Sequence, residues 1–343
     1  MKILYGIQGT GHGHISRAKE LLPELSKHAS VDVLLSGYGC KLDLKDSIRY
    51  RKRGISLSYD SRGGVSIFET LKNLKPVQFI QDVNSVPLNQ YDLVVSDYEP
   101  VTAWAAKSAN IPCVALSHQA AFLSEKSPRP LKRSIVAEGI LQHFAPAGKA
   151  IGFHFKKYDS FIEPPIIRSE IRDLNPKENN HITVYLPAYH HLKLAKIFKP
   201  FTDTNWHIFA PTCKQFKQIG HVSLHPISNK EFLESFEGCK GVITSAGFET
   251  SAEAMYMKKK LLVIPINNQY EQLCNAAALN EMGVKALTGI EGIGQEIHAW
   301  LAQPKNPELH DIANPAQIVS SLIGDYKEYE VSAEAKRTLN VQL

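Results

Sequence analysis

A chain of 343 residues is longer than a single hydrophobic core usually fills, so two domains are expected. With 43% apolar and 21% charged residues, the balance is that of a folded globular protein, which excludes a disordered or fibrous chain. The formal charge of +5 suits anionic substrates or an anionic membrane surface, but it forms no nucleic-acid-binding stripe.

No apolar run approaches the ~18 residues of a membrane span, and the first residues enter a strand without an apolar leader, so a cytoplasmic protein is expected. Cys40, Cys113, Cys213, Cys239 and Cys274 show neither CxxC nor Cys/His spacing, which argues against a disulfide framework and a zinc site.

Lys2 to Ile7 reads as a strand and QGTGHGH as a turn over residues 8–14. A helix over 15–27 follows, with Ile15, Ala18, Leu21, Leu22 and Leu25 on one face. Gly9, Gly11 and Gly13 suggest a dinucleotide fingerprint, yet its third glycine would fall on His14. The next strand, Val31 to Leu35, also ends in Ser36-Gly37 instead of an acidic ribose ligand. The glycines read better as room for a second substrate, with Gly11, His12, Gly13 and His14 lining its place. A neutral imidazole is a natural base for a hydroxyl near pH 7, and His12 and His14 both remain candidates. The plainer reading is that His14 caps the helix or holds a phosphate.

Residues 41–90 have room for two or three more strand–helix units, with Arg51-Lys52-Arg53 and Ser61-Arg62-Gly63-Gly64 as exposed loops. The strand Asp92 to Ser96 then delivers Asp97 at its carboxyl end. Asp97 either stands behind an imidazole, fixing its tautomer, or caps the helix that follows Pro100. Ser117, His118 and Gln119 end the next strand on the same edge and are candidate contacts to the second substrate. From Ala120 to Leu141 apolar and basic residues alternate, which fits either a basic segment meeting a membrane surface or an exposed loop leading into a helix.

Residues 158–180, with Pro164-Pro165, Pro176 and scattered charges, read as an interdomain linker. The second half opens with a strand over 181–186 and a loop Pro187-Ala188-Tyr189-His190-His191. Next come a strand over 206–209, a loop over 210–213 and a helix over 229–237. The stretch from Gly241 to Gly283 then reads strand, turn, helix, strand, loop, helix, the unit of a parallel α/β sheet. Helices over 290–301 and 315–322 follow, and the charged tail from 326 completes the chain.

The chemistry of that stretch lies at the turn. Ser245, Ala246, Gly247 and Phe248 open a helix whose free N–H groups attract a phosphate, and glycine allows close approach. Thr250 and Glu253 share one helix face, where a hydroxyl near a diphosphate and a carboxylate one turn deeper suit a ribose diol. The plainer alternative is that both residues cap and solvate the helix. Glu271 and Gln272, from the next strand-to-helix loop, are placed to hold sugar hydroxyls.

Gly247, Thr250, Glu253, the strand ending at Pro265, Glu271-Gln272 and Asn275-Ala276 together resemble the nucleotide-sugar signature of inverting GT-B glycosyltransferases. Plant-type UDP-glycosyltransferases and the lipid II-forming N-acetylglucosaminyltransferase carry versions of it. Gly13-His14-Ile15 resembles the Gly-His-Ile of the plant-type enzymes, whose His is the catalytic base, and Asp97 falls where an Asp orients that base. The Pro and the His pair of 187–191 depart from the glycine-rich turn usual there.

The resemblance implies an α/β, GT-B fold of two Rossmann-like domains facing across a cleft. An acceptor domain would cover 1–160, a donor domain 161–325, and a tail over 326–343 would cross back to the first domain. It also implies inverting transfer of a hexose or N-acetylhexosamine, UDP-linked by resemblance, to a sugar, lipid or small-molecule acceptor, as in envelope polysaccharide or glycolipid synthesis. His14 and Asp97 would be catalytic and His118 an acceptor contact. No metal or other cofactor is implied, since the helix N-terminus takes the leaving diphosphate. A 2-epimerase acting on UDP-N-acetylglucosamine and a non-catalytic nucleotide-sugar-binding subunit are the rival readings. Membrane contact, if any, would be peripheral at the inner face, and oligomeric state stays open.

Overall fold

In a computed structural model of the chain, residues 1–37, 48–55, 75–304 and 308–341 are described; Cys40 and Ser61-Arg62-Gly63-Gly64 lie outside them. The first strand, β1 (Lys2–Gln8), is buried from Ile3 onward, the continuous apolar run of a strand covered on both faces. α1 (His12–Ser26) packs Ile15, Ala18, Leu21 and Leu25 against it. β2 (Ser30–Ser36), β3 (Ile48–Lys52), α2 (Pro76–Asn84), β4 (Leu93–Asp97) and α3 (Pro100–Ala109) follow. β5 (Cys113–Ser117), α4 (Ile135–His143), β6 (Lys149–Phe153) and β7 (Ile162–Glu163) complete the half. Arg51 and Lys52 belong to the edge strand β3 and not to a loop.

Among the described residues these strands form one seven-stranded sheet, β3-β2-β1-β4-β5-β6-β7, parallel throughout. The sheet runs to Glu163, just past residue 160. A short helix, α5 (Ser169–Arg172), leads into the second half. There β8 (Asn179–Tyr185), α6 (His191–Phe198), β9 (Asn205–Phe209), β10 (Lys217–Ile219), β11 (Val222–His225) and α7 (Asn229–Gly238) come first. β12 (Cys239–Thr244), α8 (Phe248–Tyr256), β13 (Lys260–Val263), α9 (Tyr270–Glu281), β14 (Lys285–Ala286) and α10 (Ile293–Ala302) follow.

The second sheet has the order β10-β11-β9-β8-β12-β13-β14 and is parallel except at one edge. There β10 and β11 form an antiparallel hairpin turned at Gly220, whose φ of 62° suits glycine.

The charged tail is not a separate piece. It continues a single helix, α11 (Pro315–Val341), that packs against α1, with Leu322, Ile323 and Tyr326 buried in the same core. That core is continuous: it links Ile7, Ile15 and Phe153 of the first half to Val242, Phe248 and Ala276 of the second. No helix among the described residues is long and apolar enough to cross a membrane.

In both sheets the strand order reverses once, between β1 and β4 and between β8 and β12. Ligands of open parallel sheets bind beyond the strand ends at such points. The residues just past them are therefore His14 and Asp97 in one half and Ser245 to Gly247 in the other.

Candidate active site

The turn between β1 and α1 ends at Gly11, whose φ of 100° and ψ of 154° are open to glycine but not to a side-chain-bearing residue. That turn sets His14 in the first turn of α1, facing the end of β4. His14 Nδ1 lies 2.8 Å from Oδ1 of Asp97. The carboxylate only accepts, so Nδ1 carries the proton, and Nε2 is left with its lone pair. His14 is almost buried and Asp97 is wholly so. The side chain of His12 is not among the described residues.

Asp97 does not cap the following helix. Glu99 does that, accepting from Val101 N at 2.8 Å and Thr102 N at 2.7 Å, so Asp97 is left for the imidazole. Arg17, one turn beyond His14, grips Asp97 with Nε to Oδ2 at 3.0 Å and Nη2 to Oδ1 at 2.7 Å. Burial pushes the Asp97 carboxyl up, but the Arg17 guanidinium and His14 outweigh it and hold the group below its ordinary range.

The start of α8 lies across the interface from Arg17. Gly247 has an ordinary extended backbone and open space on its Cβ side, so its lack of a side chain leaves room and relieves no strain. Arg17 also reaches across to Glu249 in the first turn of α8, Nη1 to Oε1 at 2.8 Å. Gly13 is needed for the same contact, because a Cβ there would overlap the Glu249 carboxylate. The Glu249 carboxylate thus lies in the space beside Gly13. Thr250 borders a cavity of about 330 Å³ between the two halves. Its lining includes Ser16, Lys19 and Glu20 of α1, Arg168, Ser169 and Glu170 of the linker, and the apolar side chains of Tyr185, Phe209, Ile227 and Phe232. The loop 210–213 does not line this cavity, whereas Phe209 and residues 227–229 do.

Glu253 is buried one turn deeper and is held by Arg168, Nε to Oε1 at 2.6 Å and Nη2 to Oε2 at 3.0 Å. Burial pushes its carboxyl up and Arg168 partly offsets this. One bond at each oxygen leaves lone pairs on both for further donors. Glu271 remains partly exposed and accepts from Gln119 across the interface, Nε2 to Oε2 at 2.9 Å.

Three expected contacts are placed differently. His118 is 1% exposed: its Nδ1 stands 2.7 Å from the Phe153 carbonyl and its Nε2 2.8 Å from Oδ1 of Asn275. Both nitrogens are taken, so it cannot meet an acceptor; it latches the halves together, and Asn275 passes the latch on to the Ala246 carbonyl at 3.0 Å. The Phe248 side chain stacks on His118, ring centroids 3.9 Å apart, and faces the interdomain core instead of a donor. Only its backbone N–H remains at the helix start. Gln272 is buried, with Oε1 accepting from Ile266 N at 2.9 Å, so that oxygen braces its own loop instead of a sugar.

Ser245 and Ala246 are buried beneath the helix start. In the loop of 187–191, the His190 ring accepts from Leu192 N, which ties it to α6 and away from the cavity. Arg17, Arg168 and Glu249 are site residues that the sequence patterns do not mark; the spacing of Arg17, three residues after His14 on one helix face, is the only local signal for the first.

Two Rossmann-like sheets facing across such a site define a GT-B fold, and solved structures agree. SnogD, a glycosyltransferase from Streptomyces nogalater, is 16% identical, with 94% of this chain and 99% of that one covered at a TM-score of 0.54. A UDP-glucosyltransferase from Polygonum tinctorium that glucosylates indoxyl is 14% identical, with 96% and 93% covered at a TM-score of 0.58. MurG from Acinetobacter baumannii is 13% identical, with 94% and 99% covered at 0.57. In sequence, an uncharacterised glycosyltransferase from Methanosarcina acetivorans is 27% identical over 321 residues, 82% of each chain. The family model for glycosyl transferase family 1 matches residues 1–301, and the chain belongs to that family. It is a glycosyltransferase.

Proposed function

We propose that the chain transfers a sugar from a nucleotide sugar, a UDP-hexose or UDP-N-acetylhexosamine, to an acceptor hydroxyl with inversion and without a metal. His14 Nε2 takes the acceptor proton as the acceptor oxygen bonds to the anomeric carbon. The bond from that carbon to the diphosphate oxygen breaks on the opposite face, and its electron pair leaves with the diphosphate. Asp97 keeps the His14 tautomer and stabilises the imidazolium that forms. The N–H groups at the start of α8 receive the charge on the leaving group, as preorganised dipoles do elsewhere.

One observation carries this reading. The His14–Asp97 pair and the start of the donor helix, 232 residues apart at Arg17 and Glu249, meet in one ion pair beside the cavity. The cavity also combines the hydroxyl of Thr250 and the cations Lys19 and Arg168 with the apolar side chains of Tyr185 and Phe209, which suits a nucleotide. A thermal-shift series with UDP, UDP-glucose and UDP-N-acetylglucosamine tests the donor. The melting temperature should climb with the logarithm of ligand concentration above Kd. No rise with any nucleotide would overturn the assignment.

The segment 120–141 supports a peripheral contact with the inner face of a membrane. Leu131 and Ile135 are 109% and 90% exposed, Val136 is 58% exposed, and Lys132 and Arg133 lie between them. An apolar tip with a basic rim binds anionic bilayers in a salt-dependent way. Sedimentation with phosphatidylglycerol vesicles should retain the protein at low salt and lose it on combining Leu131→Glu with Ile135→Glu. Equal retention of both proteins would exclude this surface.

A further inference from the structure

Five groups meet where the two halves join. His14 and Arg17 come from α1, Asp97 from β4, Tyr5 from β1 and Glu249 from the first turn of α8. Asp97 is shared: its Oδ1 faces both His14 Nδ1 at 2.8 Å and Arg17 Nη2 at 2.7 Å. An arginine bound to Asp97 alone would cancel its charge and leave little to stabilise a protonated imidazole. Here the same guanidinium is 2.8 Å from a second carboxylate, Glu249, supplied by the donor domain.

The charge count decides what this does. With His14 neutral, Asp97 and Glu249 against Arg17 leave one net negative charge in the cluster. Taking the acceptor proton brings the cluster to neutrality. Without Glu249 the cluster starts neutral and must become positive in a nearly buried place, which low-polarity surroundings oppose. Arg17 and Asp97 are 4% and 0% exposed at the side chain, whereas Glu249 is 27% exposed.

We infer that Arg17 is a positioning residue through which Glu249 of the donor domain tunes the His14–Asp97 pair, so that the base reaches full strength only when the donor helix is seated against it. Proton uptake is thereby tied to the element that receives the diphosphate. Glu249 touches neither reacting atom; it acts through Arg17. Outside this cluster Arg168 lies near Glu249 and pairs with both Glu253 and Glu170, and the variants below leave those charges unchanged. Tyr5 is a buried phenol whose pKa is raised by burial and by Asp97, so it stays neutral through the working range.

This rests on the transfer reading given above. If His14→Ala retained near-normal transfer, that reading would have failed before the present test began. The test compares wild type, Glu249→Gln, Arg17→Gln and Arg17→Lys in the pH dependence of kcat/KM, with melting temperature measured alongside. Glu249→Gln should lower kcat about tenfold or more and move the acidic limb about one pH unit down, the size of one nearby charge. Arg17→Gln should move it up, because a cation beside the imidazole is gone, and should lower kcat through loss of Asp97 alignment. Arg17→Lys should keep the limb near its wild-type position with only part of the rate.

Opposite movements in the two variants support the tuning role, since loss of folded structure alone would not produce them. Unmoved limbs with rates falling in step with melting temperature would overturn it. So would a Glu249→Gln enzyme with raised donor KM but unchanged kcat and pH profile, which would make Glu249 a donor contact.

Discussion

Replacing His14 with alanine should lower transfer about 10²–10⁴-fold, the usual loss for a positioned general base. The loss should fall on kcat, because on the proposed reading His14 serves the acceptor, and the cavity proposed for the nucleotide is lined by other residues. The fold should survive. His14 contributes one ring at the cleft edge, and Arg17 still holds Asp97 by two bonds of 3.0 and 2.7 Å. Asp97→Asn should produce a loss in kcat of comparable size, since an amide no longer fixes the His14 tautomer and carries no charge toward the imidazolium. Steady-state rates with UDP release as the readout, alongside UDP affinity from thermal shift, separate these effects. Transfer within about threefold of wild type in His14→Ala would shift the base to His12 or remove the mechanism altogether.

Glu253→Gln should weaken donor binding ten- to a hundredfold or so, because hydrogen bonds to a charged group contribute about 1.5–3 kcal/mol each. The carboxylate is well placed for this. It is buried, fixed by Arg168 at 2.6 and 3.0 Å, and set behind Arg168 and Thr250, which line the cavity. Exchanging it for an amide also leaves the Arg168 guanidinium without its countercharge, so the melting temperature should fall. A nucleotide lacking its ribose hydroxyls separates the two consequences. The dideoxy form of UDP should bind wild type and variant alike, while UDP should distinguish them. Equal UDP affinity in the two proteins would place the ribose elsewhere.

The turn and helix of 247–253 were legible because their signal is local. Gly247, Thr250 and Glu253 fall within one turn and one helix, so helical spacing alone puts the last two on one face. The pairing of His14 with Asp97 was legible for another reason. Both follow strands at the reversal of sheet order, and topology brings such positions together across 80 or more residues.

What the sequence concealed was the choice of partner across the domain interface. Arg17 and Arg168 look like ordinary surface cations in a helix and a proline-rich linker; only the folded arrangement buries the first against Asp97 and Glu249 and half-buries the second against Glu253. His118 was read toward the cleft from its strand end, but the second domain covers that edge and takes both ring nitrogens. Phe248 was read as part of the donor turn, yet an aromatic ring at that interface has more apolar surface to bury among His118, His154 and Phe155 than beside a diphosphate. The length of the final helix was also concealed, since the sequence beyond Tyr326 is charged and shows no apolar stripe.

The most direct measurement is a crystal structure of the chain with UDP or a non-transferable UDP-sugar bound. The account predicts phosphate oxygens on the N–H groups of residues 247–249, the ribose diol on Glu253, and the anomeric carbon turned toward His14 Nε2. A nucleotide bound outside the cavity between the domains, or a sugar on the side of the donor helix away from His14, would contradict it.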